Sequence, residues 1–101
     1  MSYIAVAPVS DVQPGDRLLF EINGKPVAVF NVGNQYYAIQ DACTHDNGPI
    51  GDGDLEGYEV ICPRHGAVFD IRTGHAMSLP AVTPVITYPV RVVDGMIEID
   101  L

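Results

Sequence analysis

The 101-residue chain has little of what several common protein classes need. Its only cysteines are Cys43 and Cys62, too few to hold an iron–sulfur cluster by four thiolates. Five Lys and Arg stand against thirteen Asp and Glu, a formal charge of −8 that opposes binding to nucleic acid. No apolar stretch reaches the length that spans a bilayer, so no membrane association is expected. Met1 to Ala7 shows neither a basic leader nor a twin arginine ahead of an apolar run. It begins as a mature cytoplasmic protein would. No stretch has the periodicity of a helix longer than a turn, and there are no internal repeats. The length is that of one domain, residues 1–101.

What the chain does have is alternation punctuated by turn residues. Tyr3 to Ala7 reads as a short strand, and Ser10 to Gly15 as a turn marked by Pro14-Gly15. Asp16 to Asn23 puts Leu18, Phe20 and Ile22 on one face at period two. Asn23-Gly24 suits a type I′ hairpin turn, which needs positive φ at both central residues. Pro26 to Val32 returns, Gly33-Asn34 turns again, and Gln35 to Gln40 carries Tyr37 and Ile39 on one face. Tyr58 to Ile61 and Ala67 to Arg72 are further strands, and Thr73-Gly74 turns. Val85 to Asp94 reads as one long strand with an irregularity at Pro89. Asp94-Gly95 makes the last hairpin, and Met96 to Leu101 closes the sheet with Ile97 and Ile99 inward. The fold class is all-β: a small antiparallel β-sandwich or open barrel with a loop-rich subdomain inserted in it.

The inserted part holds the chemistry. Cys43-Thr44-His45 opens it and Cys62-Pro63-Arg64-His65-Gly66 closes it, with sixteen residues between His45 and Cys62. Both cysteines and two of the three histidines of the chain lie here. A thiolate selects zinc or iron–sulfur clusters, and an imidazole suits zinc, iron and copper. Three readings follow from the residues: a cluster, a structural zinc site on the same four side chains, or a Cys43–Cys62 disulfide with two ordinary histidines. A zinc finger runs Cys, Cys, His, His, with both histidines on a helix, whereas the order here is Cys, His, Cys, His in two matching loops. A disulfide leaves the paired spacing unexplained. Gly, Asn and Pro are dense from Asn47 to Gly57, which favours tightly turned backbone able to aim N–H groups at one centre.

These motifs resemble the Rieske family, whose pattern is C-x-H, a gap of this size, then C-x2-H. Thr44, Pro63, Gly66, Phe69, Asp70, Thr73 and Gly74 fit its loop residues, and Leu79-Pro80 sits where a third loop covers the cluster. The resemblance spans roughly residues 16 to 101. It implies the Rieske iron–sulfur fold and one 2Fe–2S cluster, with Cys43 and Cys62 on one iron and His45 and His65 on the other. Its ligand loops would be about 41–50 and 60–67, and its covering loop about 75–84. His75 has no partner cysteine and reads as a loop residue.

The resemblance also narrows the branch. High-potential members carry an extra cysteine in each loop, joined as a disulfide; here Gly48 lies near the first position and Arg64 occupies the second. Those members also have serine and tyrosine hydroxyls near the cluster where this chain has Ala67 and Phe69. Fewer donors stabilise the reduced cluster less, so the potential is expected toward the low end of the family range, roughly −150 mV. The pattern resembles the ferredoxins of bacterial Rieske non-haem iron oxygenase systems. It implies a monomeric one-electron carrier, not an enzyme, moving electrons from a flavin-dependent ferredoxin reductase to a terminal ring-hydroxylating oxygenase. The oxygenase chemistry itself needs a separate mononuclear iron, and after the cluster takes its ligands only His75 remains. Three alternatives stay open: a zinc-bound or assembly-related β-domain, or electron transfer in nitrite reduction or in iron–sulfur assembly. The acidic charge would steer encounters with basic patches on redox partners, and Asp46, Asp52, Asp54 and Glu56 mark a candidate docking face.

Overall fold

The computed structural model describes residues 2–44, 46–64 and 66–101. Its ten strands are β1 (Tyr3–Pro8), β2 (Arg17–Ile22), β3 (Lys25–Val32), β4 (Gln35–Gln40), β5 (Leu55–Glu56), β6 (Glu59–Ile61), β7 (Val68–Asp70), β8 (Thr87–Tyr88), β9 (Val90–Val93) and β10 (Met96–Asp100). The one helical element among the described residues is a 3-10 turn at Val9–Asp11, overlapping the start of the Ser10 to Gly15 turn. Three antiparallel sheets form, ordered β1-β10-β9, β2-β3-β4-β8 and β5-β6-β7. This is the all-β architecture the alternation implies.

The hairpin turns follow from their residues. Asn23 (φ 54) and Gly24 (φ 76) both adopt the left-handed conformation that a type I′ turn demands, and Asp94 (φ 51) with Gly95 (φ 76) repeats it. The turns fix the registers. Leu18 lies opposite Val29, and Ile97 opposite Val92.

β3 is the centre of the molecule. Its segment Val27-Ala28-Val29-Phe30-Asn31 is buried throughout, so both of its faces are covered. Alternation divides the two faces between two cores. Val27 and Val29 pack with Val12, Ala38, Ile97 and Ile99, with Leu18 and Phe20 of β2 at the margin. Ala28 and Phe30 point the other way, into a core with Ile39, Ile50, Val60, Phe69 and Ile71 that also contains both cysteines. The four-stranded sheet is thus a middle layer, with the β1-β10-β9 base on one side and the loop-bearing β5-β6-β7 sheet on the other. Buried Asn31 joins the layers: its amide donates to the Val12 carbonyl at 2.8 Å and its side-chain oxygen accepts from Asn34 N–H at 2.9 Å.

Two features differ from the alternation alone. The expected long strand from Val85 to Asp94 is split, because Pro89 has no N–H to give a ladder. Thr87–Tyr88 ends the middle sheet beside β4, and Val90–Val93 begins again beside β10 in the base. The second is β5, a two-residue strand in the glycine-rich segment, pairing with β6 through Leu55 opposite Val60. No helix of the described residues is long and apolar enough to cross a membrane.

Candidate metal centre

Two loops leave the sheets side by side. The first follows β4 and carries Cys43; the second joins β6 to β7 and carries Cys62. Both share one backbone design. The Cys43 N–H donates to the Gly48 carbonyl (2.7 Å), and its own carbonyl accepts from Asn47 N–H (2.6 Å). The Cys62 N–H donates to the Ala67 carbonyl (2.7 Å), and its carbonyl accepts from Gly66 N–H (3.0 Å). The residue four past each cysteine has positive φ, 63° at Asn47 and 74° at Gly66. Asparagine and glycine are the residues that tolerate this conformation, which is why each loop can close so tightly.

Both cysteines are at most 1% exposed, and no disulfide joins them. The disulfide reading therefore fails. They pack in one apolar cluster with Ala67, Phe69 and Ala81. Ala67 and Phe69 are fully buried, so no hydroxyl comes from the two positions flagged in the sequence. His45 and His65, the two expected imidazole ligands, lie outside the described residues.

Charged side chains at long sequence separation hold the loops. Buried Asp41 accepts N–H bonds from Ile50 (2.8 Å) and Gly51 (2.6 Å), fixing the exit of the first loop. Arg17 of β2 reaches the same stretch, donating to the Gly51 carbonyl at 2.6 Å and to the Gly53 carbonyl, with its guanidinium 5.4 Å from the Phe30 ring centroid. Glycine is required at 53, where a Cβ would run into the Ile61 carbonyl oxygen. Arg64 crosses from the second loop to the first: Nε donates to Asp46 Oδ2 at 2.7 Å, Nη2 to Asp46 Oδ1 at 2.9 Å and Nη1 to the Pro49 carbonyl at 2.6 Å. The Asp46 hydrogen bonds raise the pKa of this guanidinium above its ordinary value. All four acidic docking candidates, Asp46, Asp52, Asp54 and Glu56, are exposed, and Asp46 has its charge met by Arg64.

Residues of the segment at about 75–84, where a covering loop was expected, reach toward the cysteine-bearing part of the molecule. Thr44 Oγ1 donates to the Thr83 carbonyl (2.6 Å), and Val68 N–H to Ser78 Oγ (3.2 Å), so the segment touches the first cysteine loop and the start of β7 just after the second. Ala81 is buried beside the cysteines while Leu79 (76% exposed) and Val82 (77%) point outward. Behind the loops, Asp70 is paired with Arg72 (2.9 Å), whose guanidinium lies 4.1 Å from the Tyr58 ring centroid. His75 is exposed, and its carbonyl accepts the Asp70 N–H. Its loop placement matches the expectation.

Sequence reasoning did not find Arg17 or Asp41, and it noted Arg64 only for the cysteine missing there. Their contacts are long-range, and no local period signals them.

The site is suited to a metal cluster. It offers two buried thiols in loops of the same backbone design, with an apolar lining. Such a donor set suits iron–sulfur chemistry. The family model described as Rieske [2Fe-2S] domain matches residues 2–89. The chain is 47% identical over 103 residues to the 3-phenylpropionate/cinnamic acid dioxygenase ferredoxin subunit of Escherichia coli (strain K12), covering all of this chain and 95% of that one. The Sphingomonas yanoikuyae B1 ferredoxin superposes with a TM-score of 0.91 at 34% identity, covering 99% of each chain. A chain of the complex of reduced oxygenase and oxidised ferredoxin in carbazole 1,9a-dioxygenase gives 0.90 at 36% identity, covering 96% of this chain and 91% of that one.

Proposed function

The chain belongs to the Rieske [2Fe-2S] family, and from that membership we propose that it is the ferredoxin of a multicomponent oxygenase system. The observation that carries this is the pair of buried cysteines in mirrored loops beneath an exposed apolar cover. Cys43 and Cys62 would hold one iron of the cluster, and His45 and His65 the other. When bound, the cluster takes up one electron and gives it back. The chain's own residues supply the rest. The mirrored loops orient the sulfurs, Phe69 and Ala81 exclude water from them, and Leu79 and Val82 present an apolar contact beside the site.

The electron is received from a flavin-dependent reductase and delivered to a ring-hydroxylating oxygenase, in the cytoplasm, by a monomer of one domain. Two findings support this: the dioxygenase ferredoxin subunit aligns over the whole chain, and the carbazole system complex pairs an oxygenase with a ferredoxin. The carrier is not itself the enzyme.

The test is the electron paramagnetic resonance spectrum of the dithionite-reduced protein. A rhombic signal with average g below two, lower than that of all-cysteine ferredoxins, is expected, together with about two irons and two sulfides per chain. A colourless protein holding zinc and no sulfide would overturn the proposal.

A further inference from the structure

Among the basic residues, Arg64 stands alone between Lys25 and Arg72, in a chain of net charge −8. It lies two residues past Cys62, and its side chain leaves its own loop. Its planar fork takes both oxygens of Asp46 and, with its remaining nitrogen, the Pro49 carbonyl. The first loop is thus gripped at residues 46 and 49, on the far side of the turn from Cys43. Asp46 Oδ1 also accepts the Gly48 N–H at 3.0 Å, so the same carboxylate folds the first loop and receives the second. Gly48 makes the approach possible, because a Cβ there would stand 2.6 Å from Arg64 Cζ. Gly48 is not in a left-handed conformation, so glycine is needed for space and not for φ.

An ordinary surface ion pair contributes little. This one differs in being bidentate, in carrying a third bond to a carbonyl, and in joining two loops that otherwise have separate backbone frames. Both residues are exposed, so salt screens the charges and the case for the pair rests on its geometry.

The geometry points to Arg64 as a positioning residue, a charged clasp with Asp46 that holds the two cysteine loops in register and keeps a fixed positive charge beside the cluster. The inference rests on the proposed ligand set. It makes two separable claims, one on cluster retention and one on potential. Groups that orient metal ligands commonly matter by roughly 10- to 100-fold in metal affinity. A positive charge beside the site favours the more negative, reduced state.

The experiment uses the full-length, cluster-loaded protein and the variants Arg64→Gln, Asp46→Asn and the double variant. Release of the cluster to a chelator is followed by loss of visible absorbance, and the reduction potential by voltammetry. Each single variant should release the cluster roughly tenfold faster than wild type. The double variant should be no faster than the worse single, because one clasp can be broken only once. The potentials should move in opposite directions, lower in Arg64→Gln and higher in Asp46→Asn, whereas simple loosening of the loops would move both the same way. Arg64→Lys, with its charge but without the planar fork, should keep the wild-type potential and still release faster. Release at the wild-type rate in either single variant, additive effects in the double, or potentials shifting together would overturn the clasp. A wild-type protein lacking the mixed His/Cys signal would overturn the ligand set beneath it, and that result is read before any variant is made.

Discussion

The two faces of the four-stranded sheet are buried by different means. On the base side, Val27 and Val29 of β3 pack against Ile97 and Ile99 of β10 between two sheets, and branched aliphatic side chains at period two fill the space. On the tip side, Ala28 and Phe30 of the same strand meet short strands and loops. There the positions are set by left-handed turn residues, by Asp41 and Arg17 holding carbonyls and amides, and by glycines that leave no room for a Cβ. The base is held by apolar area, which is tolerant and non-directional. The tip has an apolar core of its own and adds directional contacts to it, which fix atoms closely. A site that must present ligands at set positions belongs on the second kind of structure, carried by the first.

The largest effect should come from removing a proposed ligand. Cys62→Ala should abolish the paramagnetic signal and visible colour while leaving the base folded. Hydrogen exchange should show faster exchange at Cys43, Asn47 and Gly66, with Val29 and Ile97 amides still protected. Equal loss of protection in both regions would break the comparison, making the two cores one cooperative unit.

The reverse change tests the base. Ile97 is fully buried and far in sequence from both loops. Ile97→Ala should cost about 3 kcal/mol in denaturant unfolding of the loaded protein. The spectrum of the reduced cluster should not change. A shifted spectrum would mean that base packing reaches the sulfurs through β3.

How much of this was legible in the sequence follows the same division. The base was legible because period-two burial is written locally, as in Phe20-Glu21-Ile22 and Ile97-Glu98-Ile99. β3 reads differently: Val27 to Phe30 is apolar at every position, the mark of a strand covered on both faces, and alternation alone did not say which core each residue joins. The break at Pro89 was visible as an irregularity, but not its consequence, a strand that changes sheets. At the tip, Cys43 and Cys62 stood out by type and spacing. The side chains that hold them, Asp41, Arg17 and Arg64, did not, since each acts across a separation that only the fold closes.

Surface substitutions sharpen the contrast further. Leu79 beside the ligand loops and Val92 on the base are both exposed apolar side chains. Leu79→Asp should slow electron delivery to a partner oxygenase about tenfold, the weight of one central apolar contact. Val92→Asp should leave that rate unchanged, and neither should alter stability much. Equal slowing by both would place the docking face elsewhere.

The smallest effect concerns the turn behind the second loop, and its sign is set by Asp70. The Arg72 hydrogen bonds hold the Asp70 carboxyl below its ordinary value, against the opposing effect of burial. The folded protein therefore binds that proton less readily than the unfolded chain. Its contribution to stability is fully present above the ordinary carboxylate pKa of about 3.9 and fades as pH falls through the lowered native value. Asp70→Asn removes the contribution. Urea unfolding should show the variant less stable than wild type by a constant margin from neutral pH down to about pH 5. The margin should then shrink toward zero in stronger acid. A margin that instead widened in acid would mean that the Asp70–Arg72 pair does not anchor the turn through its charge, and that the tip at this point is held by packing, as the base is.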